Sequence, residues 1–205
     1  MKKIFASALC ALCLITVQAN AQNASESGRF RIGPKAALGF STTNLSASHG
    51  PVFSYDAGVQ VSYGLGHGMF LESGLLYAQK GVKWTWDGDR ATPGYIDLPL
   101  NFGYEYAFNE NFSIFAEAGL YLGVGVSGTY RQGDGYKWNY WNTDFSGGYK
   151  PNRFEMGIGT VIGVEIFRGL QIRLNYNAGL TRMSNNPNSA RSFDTFMLGV
   201  AYMFL

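Results

Sequence analysis

From Phe112 onward the chain keeps strict alternation: Phe112, Ile114, Ala116, Ala118, Leu120, Leu122, Val124 and Val126 are apolar, and the residues between them are mostly small or polar. The same phase returns over residues 154–166 and again over 170–180. A period of two is the signature of a strand, because successive side chains point to opposite faces. Reading the rest of the chain this way predicts strands near 29–40, 53–65, 69–86, 95–108, 111–130, 153–167, 169–182 and 193–204, eight in all. They cover the roughly 9–11 residues that a tilted membrane-spanning strand needs, and several exceed the about 5–6 residues usual in soluble sheets.

The connections alternate as regularly as the side chains. They are short at Leu65-Gly66-His67-Gly68, Asn109-Glu110 and Arg168-Gly169, and long at 41–52, 87–94, 129–152 and 183–192. Short turns at one end and long loops at the other are the habit of outer-membrane barrels, with both termini on the short-turn, periplasmic side. The expected fold class is therefore all-β, an eight-stranded antiparallel up-and-down transmembrane β-barrel occupying residues 22–205.

Residues 1–21 predict a cleaved signal peptide. Lys2 and Lys3 form its charged start, Ile4 to Val17 its apolar stretch, and Ala19-Asn20-Ala21 the small residues of a cleavage site. The 14 apolar residues would span only about 21 Å as a helix, short of a hydrocarbon core of roughly 30 Å. Export to the outer membrane follows, with outer-membrane lipid as solvent and the barrel-assembly machinery as a partner during biogenesis. Both cysteines, Cys10 and Cys13, lie in this leader, so no disulfide or Cys metal site is expected beyond it.

A soluble sandwich and a membrane barrel share this alternation but invert its faces. The content of the minor face favours the barrel. It is rich in glycine, which the chain holds at 27 residues, and glycine suits the crowded, curved inner wall of a narrow barrel. Aromatic residues gather near strand ends, as at a bilayer interface. Tyr63, Tyr106, Phe108, Phe112, Tyr202 and Phe204 mark one end; Phe40, Phe53, Tyr55, Trp84, Trp86, Tyr95, Tyr130 and Phe154 mark the other.

The minor face also carries Arg31, Lys35, Asp56, Glu72, Lys80, Asp97, Glu105, Glu117, Glu155, Glu165 and Arg173, with Gln60, Asn101, Asn175 and Asn177. These predict a polar network in a lumen that eight strands leave just wide enough for side chains to fill. Charge pairing accounts for it most simply, and an ion or proton path is the functional alternative. Lys and Arg number 16 against 14 Asp and Glu, and without Lys2 and Lys3 the balance is 14 to 14. No basic excess remains to attract nucleic acid.

Chemistry beyond this is sparse. Gly123-Val124-Gly125-Val126-Ser127-Gly128 has dinucleotide-loop spacing but lies within a strand. His49, with Ser46 and Ser48, falls in an outer loop and His67 in a turn at the opposite end, so they share no site; a lipid-acyl-transferring role for His49 is the enzymatic alternative. Asp87-Gly88-Asp89 and Gly133-Asp134-Gly135 read as turns and complete no calcium loop. No catalytic residue, metal or cofactor is expected. The third outer loop is richest in recognition chemistry, with Tyr136, Trp138, Tyr140 and Trp141 as candidate binding residues for a glycan or protein ligand. Packing of this loop on itself or on lipid headgroups is the alternative.

The order of motifs resembles the PorT-like outer-membrane β-barrel family of Gram-negative envelopes. The resemblance rests on Gly33-Pro34-Lys35, Leu75-Leu76-Tyr77-Ala78-Gln79-Lys80-Gly81, Tyr95-Ile96-Asp97-Leu98-Pro99-Leu100, Phe154 to Glu165, and Leu198 to Phe204. It implies a small eight-stranded barrel in the outer membrane and no assigned activity. A structural or binding role through the outer loops follows as the expectation, with a small pore or transporter as the alternative.

Overall fold

The computed structural model describes residues 27–43, 49–85, 87–142, 149–167, 169–186 and 192–204. The leader, Ser46, Ser48 and Trp86 lie outside these residues. Eight long strands form a closed antiparallel ring: β1 (Phe30–Thr43), β3 (Val52–Gly66), β4 (Met69–Gln79), β6 (Arg90–Asn109), β7 (Phe112–Arg131), β9 (Phe154–Ile166), β10 (Leu170–Gly179) and β11 (Phe193–Tyr202). Each pairs with the next in this order, and β11 returns to β1 through a register that sets Leu38 opposite Leu198. Closure leaves no sheet edge in the wall, and lipid tolerates none.

The predicted strands recur with shifted ends, and two differences matter. The expected strand 69–86 breaks at Lys80-Gly81, where Lys80 N–H donates to Pro93 O and Gly81 N–H to Ser41 Oγ. Its continuation, β5 (Val82–Trp84), turns away to pair with both β6 and β2 (His49–Gly50). The strand expected from residue 95 begins instead at Arg90 and carries a register shift at Gly94/Tyr95. With β8 (Lys137–Asn139) beside β7, the strands β2, β5, β6, β7 and β8 make a ledge above the long-loop mouth. At the other end the turns are tight, and Gly66 and Gly68 flank His67 with all three at positive φ (91°, 82° and 55°).

The two faces are inverted relative to a soluble sheet. Leu75, Ile162 and Leu198 are about 60% exposed on the outer wall, whereas Arg31, Lys35, Asp56, Glu72 and Arg173 are buried inside. Burying the apolar outer face requires lipid, at roughly 25 cal/mol per Å². Aromatic pairs ring both ends of this band. Phe30 with Tyr63 (4.7 Å), Tyr106 with Phe108 (5.0 Å) and Tyr202 with Phe204 (5.0 Å) lie at the short-turn end, and Phe40 with Phe53 (6.3 Å) at the other. Tyr95, expected in this girdle, instead faces inward, buried at the mouth of the lumen, because it lies two residues from Asp97 and shares its inward phase along β6.

A closed ring resists detergent until heated. The protein folded in detergent should run with higher gel mobility unboiled than boiled, and identical mobilities would contradict closure.

Candidate functional site: the lumen network and the outer mouth

All eleven charged residues predicted for the lumen face inward, and each is at most 5% exposed. The pleat alone sets this direction, while the register decides who meets whom. Arg173 on β10 lies opposite Gly199 of β11 and Gly163 of β9, so neither neighbour crowds its long side chain. Its guanidinium crosses to Glu72 of β4 (3.3 and 3.4 Å), pairs with Glu117 of β7, and covers the ring of Phe115 at 4.8 Å. Asn101 Nδ2 completes the cluster by donating to Glu117 (3.2 Å).

Nearer the short turns, Arg31 forks onto Glu165 at 3.1 and 3.5 Å, and Gln171 donates to the same carboxylate at 2.6 Å. Glu105 there accepts from the Ser113 hydroxyl. Lys35 faces Asp56 at 3.6 Å. Toward the mouth, Lys80 sits between Asp97 (2.8 Å) and Glu155 (2.9 Å), with Tyr121 Oη donating to Glu155 at 2.8 Å. The Lys80 ammonium also covers the Tyr95 and Tyr121 rings at 4.9 and 4.6 Å. Ser113, Tyr121 and Gln171 complete the network although they were not singled out in the sequence. Their only advance signal was inward phase, which hydroxyls and amides share with residues that bond nothing.

The third outer loop divides its aromatic residues. Tyr136 and Trp138 are 71% and 40% exposed, but Tyr140 and Trp141 are 0% and 5%. Asn139 Oδ1 accepts from Trp141 N–H at 2.9 Å and opens a single 3-10 turn, Tyr140–Asn142, that carries the chain into the mouth. The Trp141 indole donates to Ser127 O at 2.7 Å and lies under the Arg153 guanidinium at 5.0 Å. A Cβ on Gly125 would overlap this indole, so the glycine makes its seat. Tyr95, Met183, Phe193, Val82 and Ala91 close an apolar cap around the pair. The expectation of four surface aromatics is thus corrected for two of them, which plug the lumen.

On the mouth side of the ledge a row of rings runs across neighbouring strands. His49 meets Trp84 edge-on (6.0 Å), Trp84 meets Tyr130 (5.9 Å), and Trp138 stacks on Tyr130 (5.5 Å, 22°). Tyr130 donates to Asp89, whose other oxygen accepts from Gly133 N–H at 2.9 Å. Burial first, and then this bond, hold the Tyr130 phenol above its ordinary range. Asp87 and Asp134 accept from backbone N–H groups two residues on, at 3.1 and 3.3 Å, so these acids tie turns together. Among the described residues no three metal-ligating side chains converge.

Removing Arg173 would leave two carboxylates buried without their cation. Arg173→Met should cost about 3–5 kcal/mol in urea unfolding from lipid vesicles. Adding Glu72→Gln and Glu117→Gln should restore most of that loss, and an Arg173→Met barrel of unchanged stability would refute the clamp.

A family model described as an outer membrane protein beta-barrel domain matches residues 20–185. No curated protein matches the chain. Among solved structures, Neisserial surface protein A is similar with a TM-score of 0.49 at 13% identity, covering 92% of this chain and 100% of that one. The outer membrane protein OprG from Pseudomonas aeruginosa has a TM-score of 0.49 at 13% identity, covering 87% and 96%. The attachment invasion locus protein Ail of Yersinia pestis, solved with the heparin analogue sucrose octasulfate, has a TM-score of 0.44 at 13% identity, covering 87% and 99%. With the greater part of its length matched, the chain belongs to the outer membrane protein beta-barrel domain family.

Proposed function

We propose that this outer-membrane barrel is a binding protein of the PorT-like kind, exported with loss of residues 1–21, which presents a recognition surface on its outer ledge and carries out no catalysis. The observation that carries this reading is the aromatic row His49, Trp84, Tyr130 and Trp138, held above a capped and filled lumen. Rigid rings give contact area with little ordering cost, which suits the faces of sugar rings or a protein partner. Tyr136, projecting from the β7–β8 turn, extends the surface.

The filled lumen weighs against the pore reading. Lys80, Asp97 and Glu155 are bonded to one another beneath the aromatic cap, so a solute would have to break ion pairs and displace Trp141 together. The acyl-transfer reading rests on His49, whose ring packs against Trp84.

The test presents cells displaying the protein to surfaces coated with heparin, mucin or neutral dextran, beside planar-bilayer recordings of the purified barrel. The expected result is retention on at least one coating, reduced about tenfold or more by Tyr136→Ser with Trp138→Ser, on the scale of hot-spot aromatics. Bilayers should show no unitary conductance. Discrete channels with no retention would favour the pore instead.

A further inference from the structure

The face of the ledge opposite the aromatic row carries an arrangement that the binding reading does not use. The register sets Lys83 opposite Arg90, Arg90 opposite Arg131, and Arg131 opposite Lys137. Directly opposed residues of antiparallel strands project to the same side, so four cations stand in one line across β5, β6, β7 and β8, spanning about 14 Å at the usual strand spacing. All four are exposed. Among the described residues no carboxylate lies within ion-pair distance of any of them.

Like charges set directly opposite one another destabilise a sheet. Protection of an exposed edge accounts for a lysine on β8, but β5, β6 and β7 are paired on both sides at this level. The line therefore has a cost and no intramolecular return.

Its place on the wall names the counter-charge. Past the register shift at Gly94/Tyr95, Ala91 and Tyr130 pack on the mouth cap, which turns Arg90 and Arg131 to the outside of the barrel. Ser127 also faces out, since its hydroxyl bonds the Tyr77 hydroxyl of the outer wall at 2.8 Å. Going up β7, the outward side chains are Val124 and Val126, then Ser127 and Thr129, then Arg131. Hydrocarbon, interface and cation follow in order, and Arg131 stands about 16 Å along the strand beyond Val126. That is the level of polar headgroups, and long basic side chains can lower their charged ends toward phosphates.

We infer that Lys83, Arg90, Arg131 and Lys137 form a clamp for the phosphate groups of outer-leaflet lipid, a phosphorylated glycolipid headgroup lying along the line. The cations neutralise its phosphates while its acyl chains cover the apolar wall below. The clamp orients the ledge on the membrane surface and relieves the repulsion within the row.

The full barrel in phosphatidylcholine bicelles is titrated with bis-phosphorylated lipid A, with the same lipid after phosphate removal, and with soluble inositol hexakisphosphate. Wild type and the quadruple variant K83Q/R90Q/R131Q/K137Q are compared, each first shown to be heat-modifiable. The expected result is phosphate-dependent, salt-screened binding of lipid A that weakens roughly fivefold per cation removed and roughly 600-fold for all four. The phosphate-free lipid should not distinguish the two proteins. Equal affinity of wild type and variant for lipid A would overturn the clamp, and so would soluble hexakisphosphate binding as tightly as lipid A, which would assign the line to a free polyanion. If the quadruple variant does not fold, R90Q/R131Q should still show a loss of about 25-fold. Tyr136→Ser with Trp138→Ser should leave this titration unchanged, so the clamp and the aromatic surface fail or stand separately.

Discussion

Closure of the ring governs everything else in this molecule. Once β11 pairs with β1, every side chain of the eight long strands is assigned either to lipid or to a lumen too narrow to hold bulk water. A polar group pointing in must find its partner within that lumen, because the wall offers no exit. The charged residues of the inner face answer this demand by pairing between neighbouring strands, as Lys35 does with Asp56 and Lys80 with Asp97, and by reaching across the barrel. Glu72 and Arg173 are 101 positions apart in the chain, and Arg31 and Glu165 are 134 apart. Such pairs make the lumen a set of struts between opposite walls, and their worth lies in the penalty for losing one member, more than in any gain over an apolar filling.

The same closure explains the glycines. Where a large side chain must lie flat over the neighbouring backbone, that backbone has no room for a side chain: Phe115 lies over Gly163 and Tyr121 over Gly157 on the adjacent strand, and Trp141 over Gly125. The inner wall is thus a mosaic of rings and bare backbone between charged clusters. Its apolar part, including Phe70, Phe115, Met197 and Met203, occupies space that would otherwise need water.

At the outer end the constraint changes hands. The register shift between β6 and β7 leaves Val126 of β7 unpaired and reverses the phase of that strand beyond it while β6 keeps its own, so the two strands, which bury charge and expose apolar side chains within the band, turn Tyr95 and Tyr130 toward the mouth and Arg90 and Arg131 outward above it. One continuous pair of strands therefore serves two environments. The ledge inherits two unlike faces, rings toward the mouth and cations toward the outer wall.

The architecture was legible in the chain to a large degree because alternation is a local property. Period two at Phe112–Val126 and its echoes named the strands, the parity of the loops named the two ends, and the inward phase of Arg31, Lys80 and Arg173 placed them in the lumen. Four neighbouring aromatics could not be divided in the same way. Tyr136 and Trp138 stay outside while Tyr140 and Trp141 enter the mouth because a bend at Asn139 meets a seat prepared at Gly125 on the paired strand β7, a glycine that the alternation marks only as inward-facing. The line from Lys83 through Arg90 and Arg131 to Lys137 was equally hidden, since it exists only once four strands are aligned. Sequence by itself determined which way the side chains of the membrane band point; tertiary structure decided where β7 changes phase and which side chains meet, because direction follows from the pleat of one strand and meeting depends on the register among many.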